Sequence, residues 1–125
     1  MKTIINTIHS PAPIGPYSQA VMVNGILYVS GQVPINPATG EIITGTITDE
    51  TKQVMENIKA ILTEAGMDFT NIVKTTIFLK DMNNFKHVNE LYGSYFTSDF
   101  PARETVEVAR LPKDANVEIS VIAAR

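Results

Sequence analysis

Residues 101–123 read PARETVEVARLPKDANVEISVIA, and this stretch carries the strongest signal in the chain. Polar and apolar residues alternate on both sides of a turn at 111–114, which predicts two strands joined as a hairpin. The alternation predicts Arg103 and Glu118 on the side away from the apolar core. An arginine matches a carboxylate with two parallel hydrogen bonds, and a glutamate can hold or activate a water. The stretch therefore indicates either a site for a small anionic substrate, with a hydrolytic step, or a surface ion pair.

The first third of the chain contains a second hairpin signal. Asn24-Gly25 separates two strand-like runs, 19–23 and 26–30, and this dipeptide favours a tight hairpin turn. Before it, residues 9–16 contain three prolines. Proline fixes the backbone and removes a hydrogen-bond donor, so this segment is predicted to be a loop.

Two segments carry apolar residues at helical spacing. The first begins at Thr48 or Asp49 and ends at Gly66, and the second covers residues 83–96. Between them, the β-branched and apolar run 72–80 predicts a strand. The order ββ-α-β-α-ββ predicts one α+β domain over residues 1–125, a sandwich with both helices on one face of a mixed sheet.

The strand 72–80 has apolar residues on both sides. Val73, Ile77 and Leu79 are predicted on one side, and Ile72 and Phe78 on the other. Two helices cover only one face of a sheet, so the second apolar face is predicted to meet another subunit. The alternative is a sheet face that exposes a few apolar side chains, which is common in monomers.

Two further segments are candidates for a ligand site. Tyr17 follows a Gly-Pro pair at 15–16, which indicates either a loop that closes over a ligand or a loop whose tyrosine packs on the core. Ser30 and Gly31 end a strand, where a missing side chain lets a ligand approach the backbone. The alternative for this pair is a strand end with a bulge.

Composition and motifs exclude several functions. A net charge of −3 gives no overall attraction to nucleic-acid phosphates, and there is no cysteine for a disulfide or a thiolate. The chain has no zinc-binding or catalytic-triad motif and no glycine-rich phosphate loop, so neither a metal nor a nucleotide cofactor is predicted. We expect no membrane partner and a cytoplasmic location, because neither an apolar span nor a signal peptide is recognisable.

Several motifs together resemble the RidA (YjgF) family of enamine/imine deaminases over essentially the whole chain. The matching segments are IGPYSQ at 14–19, SGQVP at 30–34, VKTTIF at 73–78, FKHVN at 85–89, PAR at 101–103 and EVARLPKD at 107–114. The resemblance implies a chorismate-mutase-like α+β fold that forms a homotrimer through the open sheet face, with sites between subunits. It also implies hydrolysis of 2-iminobutanoate and 2-iminopropanoate to 2-oxo acids and ammonia, without a cofactor. These imines and their enamine tautomers come from pyridoxal-phosphate-dependent dehydratases.

The same resemblance implies roles for individual residues. Arg103 would grip the substrate carboxylate, and Glu118 would handle the attacking water. Ser30 and the Gly31 N–H would hold the substrate, and Tyr17 would lie over the cleft.

Two departures from the family stand beside the site. Glu104-Thr105 replaces a common Ser-Cys pair, so that Thr105 would line the site without a thiol, and Ser120 replaces a common glutamate. We expect Glu104 to point to the opposite strand face from Arg103. The alternative function is a non-catalytic regulatory protein that binds a 2-oxo acid, and a ribonuclease activity is poorly supported by the charge balance.

Overall fold

A six-stranded mixed sheet forms the centre of the computed structural model, which describes residues 1–125. Its strands are β1 (Thr3–Ile5), β2 (Ala20–Val23), β3 (Ile26–Gln32), β4 (Ile72–Leu79), β5 (Ala102–Glu107) and β6 (Val117–Ala124). Their order across the sheet is β1-β2-β3-β6-β4-β5. Only β4 and β5 run parallel to each other, which confirms the predicted mixed sheet.

The hairpin predicted around Asn24-Gly25 is confirmed. Strands β2 and β3 pair antiparallel, and both turn residues have positive φ, 51° at Asn24 and 78° at Gly25. This backbone matches the right-handed twist of the two strands. Strand β1 was not predicted, because three residues are too few to show an alternating pattern.

The hairpin predicted within residues 101–123 is wrong. Strand β4 lies between β5 and β6 and pairs with both. The mostly apolar β4 thus takes an inner place, and the charged β5 takes the edge, where exposed charges are tolerated. Residues 108–116 cross over β4 through a 3-10 turn at Pro112–Asp114.

Both predicted helices exist with different bounds. Helix α1 covers Ile47–Glu64, and the Thr46 hydroxyl caps it by accepting a hydrogen bond from the Asp49 N–H. Helix α2 covers only Phe85–Gly93 and follows a 3-10 turn at Met82–Asn84. None of the helices is long and apolar enough to cross a membrane.

The two helices and one sheet face enclose the core, as predicted. Its largest fully buried members come from every layer: Leu27, Val54, Met55, Ile58, Ile61, Leu62, Ile77, Leu79, Val88, Val117 and Ile119. The prediction for Ile72 and Val73 is wrong. A register shift between Ile72 and Lys74 turns Ile72 into the core and leaves Val73 51% exposed.

The second sheet face is not covered by a helix and is partly apolar. Tyr28 and Ile122 pair across β3 and β6 on this face, and Phe78 and Val106 pair across β4 and β5. These residues are half-buried or exposed, and Phe78 pairs with Glu118 across β4 and β6 on the same face.

Candidate functional site

Four of the predicted site residues lie together around one cavity. A cavity of about 470 Å³ is lined by Tyr17, Ser30, Gly31 and Glu118, together with apolar residues and Lys113. Tyr17 comes from the loop before β2, Ser30 and Gly31 from the end of β3, and Glu118 from the start of β6. The prediction that these segments converge is supported by this geometry.

Gly31 and Glu118 are packed against each other. The register of β3 with β6 shifts between Val29 and Gln32, so Gly31 lies in a bulge of β3. A Cβ at Gly31 would lie 2.6 Å from Oε2 of Glu118 and 2.8 Å from its Cδ. Only glycine leaves room for the carboxylate at this position. The bulge interpretation of the Ser-Gly pair is confirmed, and the approach of a ligand to the Gly31 backbone stays a prediction.

The Glu118 carboxyl is half-buried and makes no hydrogen bond or ion pair within the chain. Burial raises its pKa above the ordinary value of 4.5. A raised pKa makes a carboxylate a stronger base, and a carboxyl that accepts a proton can also return it. Its surroundings suit a general base better than a structural ion pair.

Hydrogen bonds assign a different role to each hydroxyl of the cavity. The Ser30 hydroxyl donates to the Ser18 carbonyl at 2.6 Å, so its oxygen is free to accept from a ligand. The Tyr17 hydroxyl instead accepts from the Ile14 N–H at 3.2 Å, so its proton is free to be donated. Tyr17 is half-exposed and not packed on the core, which favours the ligand-loop interpretation.

Gln19 fixes the loop that carries Tyr17, and sequence reasoning missed it. Its buried amide accepts from the Thr7 N–H at 2.7 Å and donates to the carbonyls of Thr7, Ser10 and Pro11. A proline-rich loop offers few backbone donors of its own, so this side chain replaces them.

Arg103 lies in a different cavity, beneath α2. Its Nη1 donates to Oδ1 of Asn89 at 2.7 Å, and its guanidinium lies over the rings of Phe85 and Tyr92, at 5.7 and 5.2 Å from their centroids. These contacts hold the planar fork in one orientation. The sequence analysis places Phe85 and Asn89 in a family motif but assigns no role at the site to them or to Tyr92. The signal was present, because residues 85, 89 and 92 lie on one helix face.

Glu104 and Thr105, the next two residues after Arg103 on β5, point to the faces that the sequence predicts. Glu104 points to the opposite face, where its carboxylate pairs with Lys74 at 3.1 Å and accepts from the Thr76 hydroxyl at 2.6 Å. It therefore does not compete for the Arg103 guanidinium. Thr105 is on the Arg103 side, and its Oγ1 is the one buried side-chain polar atom without a hydrogen-bond partner. Such an atom usually has a partner, which the chain by itself does not supply here.

Arg103 and Glu118 do not meet within one chain. Arg103 pairs with Thr75, which is buried on the helix-covered face, whereas Glu118 pairs with Phe78 on the open face. The prediction that both point away from the core is wrong for Arg103. The inward position on β5 lies beneath α2, where the guanidinium stacks on aromatic rings, and Val106 is exposed instead.

Comparisons with known proteins agree with the fold and with the motifs. The model of the endoribonuclease L-PSP family matches residues 7–125. The chain therefore belongs to this family, which the sequence motifs indicate under the name RidA (YjgF). The Rid family protein YyfA of Yersinia pestis has a solved structure with a TM-score of 0.98, at 53% identity over 100% of both chains.

Two relatives are described by a reaction or by a bound ligand. The human protein named 2-iminobutanoate/2-iminopropanoate deaminase is 47% identical over 123 residues, which cover 98% of this chain and 90% of that protein. Escherichia coli TdcF, solved with bound serine, is 42% identical with a TM-score of 0.94, and the match covers 98% of each chain.

Proposed function

We propose that the protein is a 2-iminobutanoate/2-iminopropanoate deaminase, which hydrolyses 2-imino acids and their enamine tautomers to 2-oxo acids and ammonia. The observation that carries this proposal is a pair of incomplete sites, called half-sites here, one around Arg103 and one around Glu118. A guanidinium is fixed for a carboxylate on one face, and a half-buried glutamate with a raised pKa lies on the other. The name of the human relative supports the reaction, and the serine bound to TdcF supports a site for small α-substituted acids.

The two half-sites become one site when a second copy packs on the open sheet face. That face carries Glu118 among apolar side chains such as Tyr28 and Phe78, which a partner would cover. A heterologous contact that repeats around a threefold axis brings Arg103 of the partner subunit to the Glu118 cavity and gives a homotrimer with three sites. The unpartnered Thr105 hydroxyl would reach the same site.

The chemistry follows from the positions of the polar groups. Arg103 binds the substrate carboxylate in a bidentate pair, and Ser30 accepts from the imine N–H. Glu118 takes a proton from a water as the water oxygen bonds to the imine carbon, and it returns that proton to the nitrogen, which gives a carbinolamine. Glu118 then takes the proton of the carbinolamine hydroxyl and passes it to the amino nitrogen as the C–N bond breaks, so that ammonia and the 2-oxo acid leave. The imine carbon is already electrophilic, so orientation and proton transfer suffice without a cofactor.

A coupled assay tests the reaction. Threonine dehydratase generates 2-iminobutanoate, and semicarbazide traps the imine that remains. The wild-type protein is expected to lower the semicarbazone yield, and Arg103→Ala and Glu118→Ala are expected not to do so. An unchanged yield with wild type would reject the deaminase.

Binding without turnover is the second candidate, because TdcF holds an amino acid in its solved structure. Calorimetry with 2-oxobutanoate separates the two. A regulatory binding protein would bind it through Arg103 and show no imine hydrolysis. Ribonuclease activity, which the family description names, would have to persist through purification and be lost in Arg103→Ala. We also propose a cytoplasmic location.

A further inference from the structure

We propose that a cavity beyond the C-terminal end of α2 binds a small amine with an apolar carbon chain, at a site separate from both half-sites. The cavity is called the aromatic cavity here, and it has a volume of about 210 Å³.

One side of the aromatic cavity consists of three rings. Phe69 opens the 3-10 turn Phe69–Asn71 before β4, and Tyr95 and Phe96 follow the end of α2. The centroid of the Phe69 ring lies 5.0 Å from that of Tyr95 and 5.8 Å from that of Phe96, with the rings inclined to each other by 54° and 83°. Tilted and edge-to-face pairs of this kind are favourable, so the rings form a fixed apolar surface.

The polar side of the aromatic cavity offers acceptors and one negative charge. It consists of Thr70, Thr97, Ser98 and Asp99. The Thr70 hydroxyl donates to the Asp68 carboxylate, so its oxygen remains free to accept. The Asp99 carboxylate makes neither an ion pair nor a hydrogen bond within the chain. Because no lysine, arginine or histidine lines the cavity, its polar side favours a positively charged donor.

The loop that carries three of these polar residues has no hydrogen bonds of its own. The last backbone bond before it runs from the Phe96 N–H to the Gly93 carbonyl, and no group of residues 97–99 takes part in one. Segments with few internal hydrogen bonds are the ones from which ligand-binding loops are drawn. A ligand in the cavity would supply the partners that this loop lacks.

The two sides of the cavity together define the ligand class. An ammonium group is attracted to the faces of aromatic rings and hydrogen-bonds to carboxylate and hydroxyl oxygens. A short carbon chain on that ammonium would cover the rings, and the volume is below that of cavities for drug-sized ligands. An amino acid fits less well, because its carboxylate would meet Asp99 without a cation nearby. The class is therefore a small apolar amine without a carboxylate, such as 3-methylbutylamine.

Phe96 separates the aromatic cavity from the cavity of Arg103. Its ring centroid lies 4.9 Å from that of Tyr92 and 6.1 Å from that of Phe100, and both of these residues line the Arg103 cavity. Binding of an amine should therefore not require the Arg103 guanidinium, which distinguishes this site from the substrate site.

Calorimetry at about pH 7, where an alkylamine is protonated, tests the proposal with three ligands of one carbon skeleton. We expect 3-methylbutylamine to bind more tightly than the neutral 3-methylbutanol and than leucine, which adds a carboxylate. Asp99→Asn is expected to weaken amine binding about fivefold, the upper range for an exposed ion pair, and to leave the alcohol unchanged. Asparagine tolerates the φ of 52° at this position. The matched control is Glu90→Gln, because Glu90 is an exposed acid of α2 that does not line the cavity.

Amide NMR spectra then locate the bound amine, and signals of residues 97–99 are expected to shift. No saturable binding, equal binding of amine and alcohol, or an equal effect of Asp99→Asn and Glu90→Gln would overturn the proposal. So would tighter binding of leucine, or an amine affinity that is lost in Arg103→Ala. None of these measurements uses imine hydrolysis, so their outcome is independent of the proposed function.

Discussion

Replacing Gly31 with alanine should separate catalysis from folding. The new Cβ would lie 2.6 Å from Oε2 of Glu118, whereas ordinary contact begins at 3.4 Å, so the carboxylate must move by about 0.8 Å. The Glu118 side chain can move by leaving its rotamer, which costs on the order of 0.5–1.5 kcal/mol of stability. A displacement of nearly 1 Å at the reacting group should lower kcat on the order of a hundredfold.

Thermal or urea unfolding and the semicarbazone assay measure the two effects of Gly31→Ala. The matched background is Glu118→Ala, which removes every Glu118 atom that the new Cβ would meet within 3.1 Å. In that background Gly31→Ala should no longer destabilise the fold. Wild-type turnover in the single variant, or an equal loss of stability in both backgrounds, would refute the proposed packing.

Four further substitutions have definite expected outcomes. Arg103→Lys should lower kcat/KM for 2-iminobutanoate about 10- to 100-fold, because an ammonium cannot form the bidentate pair with the substrate carboxylate. Asn89→Ala should raise KM more than it lowers kcat, because only the orientation of the Arg103 guanidinium is lost. Initial rates across substrate concentration measure both effects. The folded-state pKa of Glu118 is raised, so the stability that this carboxyl contributes is complete below pH 4.5 and is lost as pH rises through its folded pKa. Urea unfolding at a series of pH values should show the unfolding free energy of wild type falling relative to that of Glu118→Gln over this rise. A constant difference between the two free energies would contradict the shift. Thr46→Ala should cost about 1 kcal/mol in unfolding free energy by removing the α1 cap, while kcat per folded protein stays at the wild-type value.

Local signals in the sequence predicted the elements better than their pairing. The Asn24-Gly25 turn and the periodicity of both helices depend on neighbouring residues alone, and both were predicted correctly. The place of β4 between β5 and β6 depends on contacts between residues far apart in the sequence, which local periodicity does not show. A short connection in the sequence therefore suggested the wrong neighbours.

The same difference between local signals and long-range contacts explains which site residues were predicted correctly. Tyr17, Ser30, Gly31 and Glu118 follow from loop chemistry and from alternation within β6, and the fold brings them together. The direction of Arg103 depends on how far the helices cover the sheet, which alternation cannot show. Arg103 stacks on aromatic rings under α2, so it points toward the helices and not to the open face that alternation along β5 predicts.

Subunit complementation tests the shared site most directly. Arg103→Ala and Glu118→Ala are unfolded together in equal amounts, refolded, and assayed for imine hydrolysis against each variant refolded alone. A site between subunits predicts that about a quarter of the sites in the mixture carry both intact residues, and that activity returns to that level. No activity in a mixture that has exchanged subunits would contradict a site that joins Arg103 of one copy to Glu118 of another.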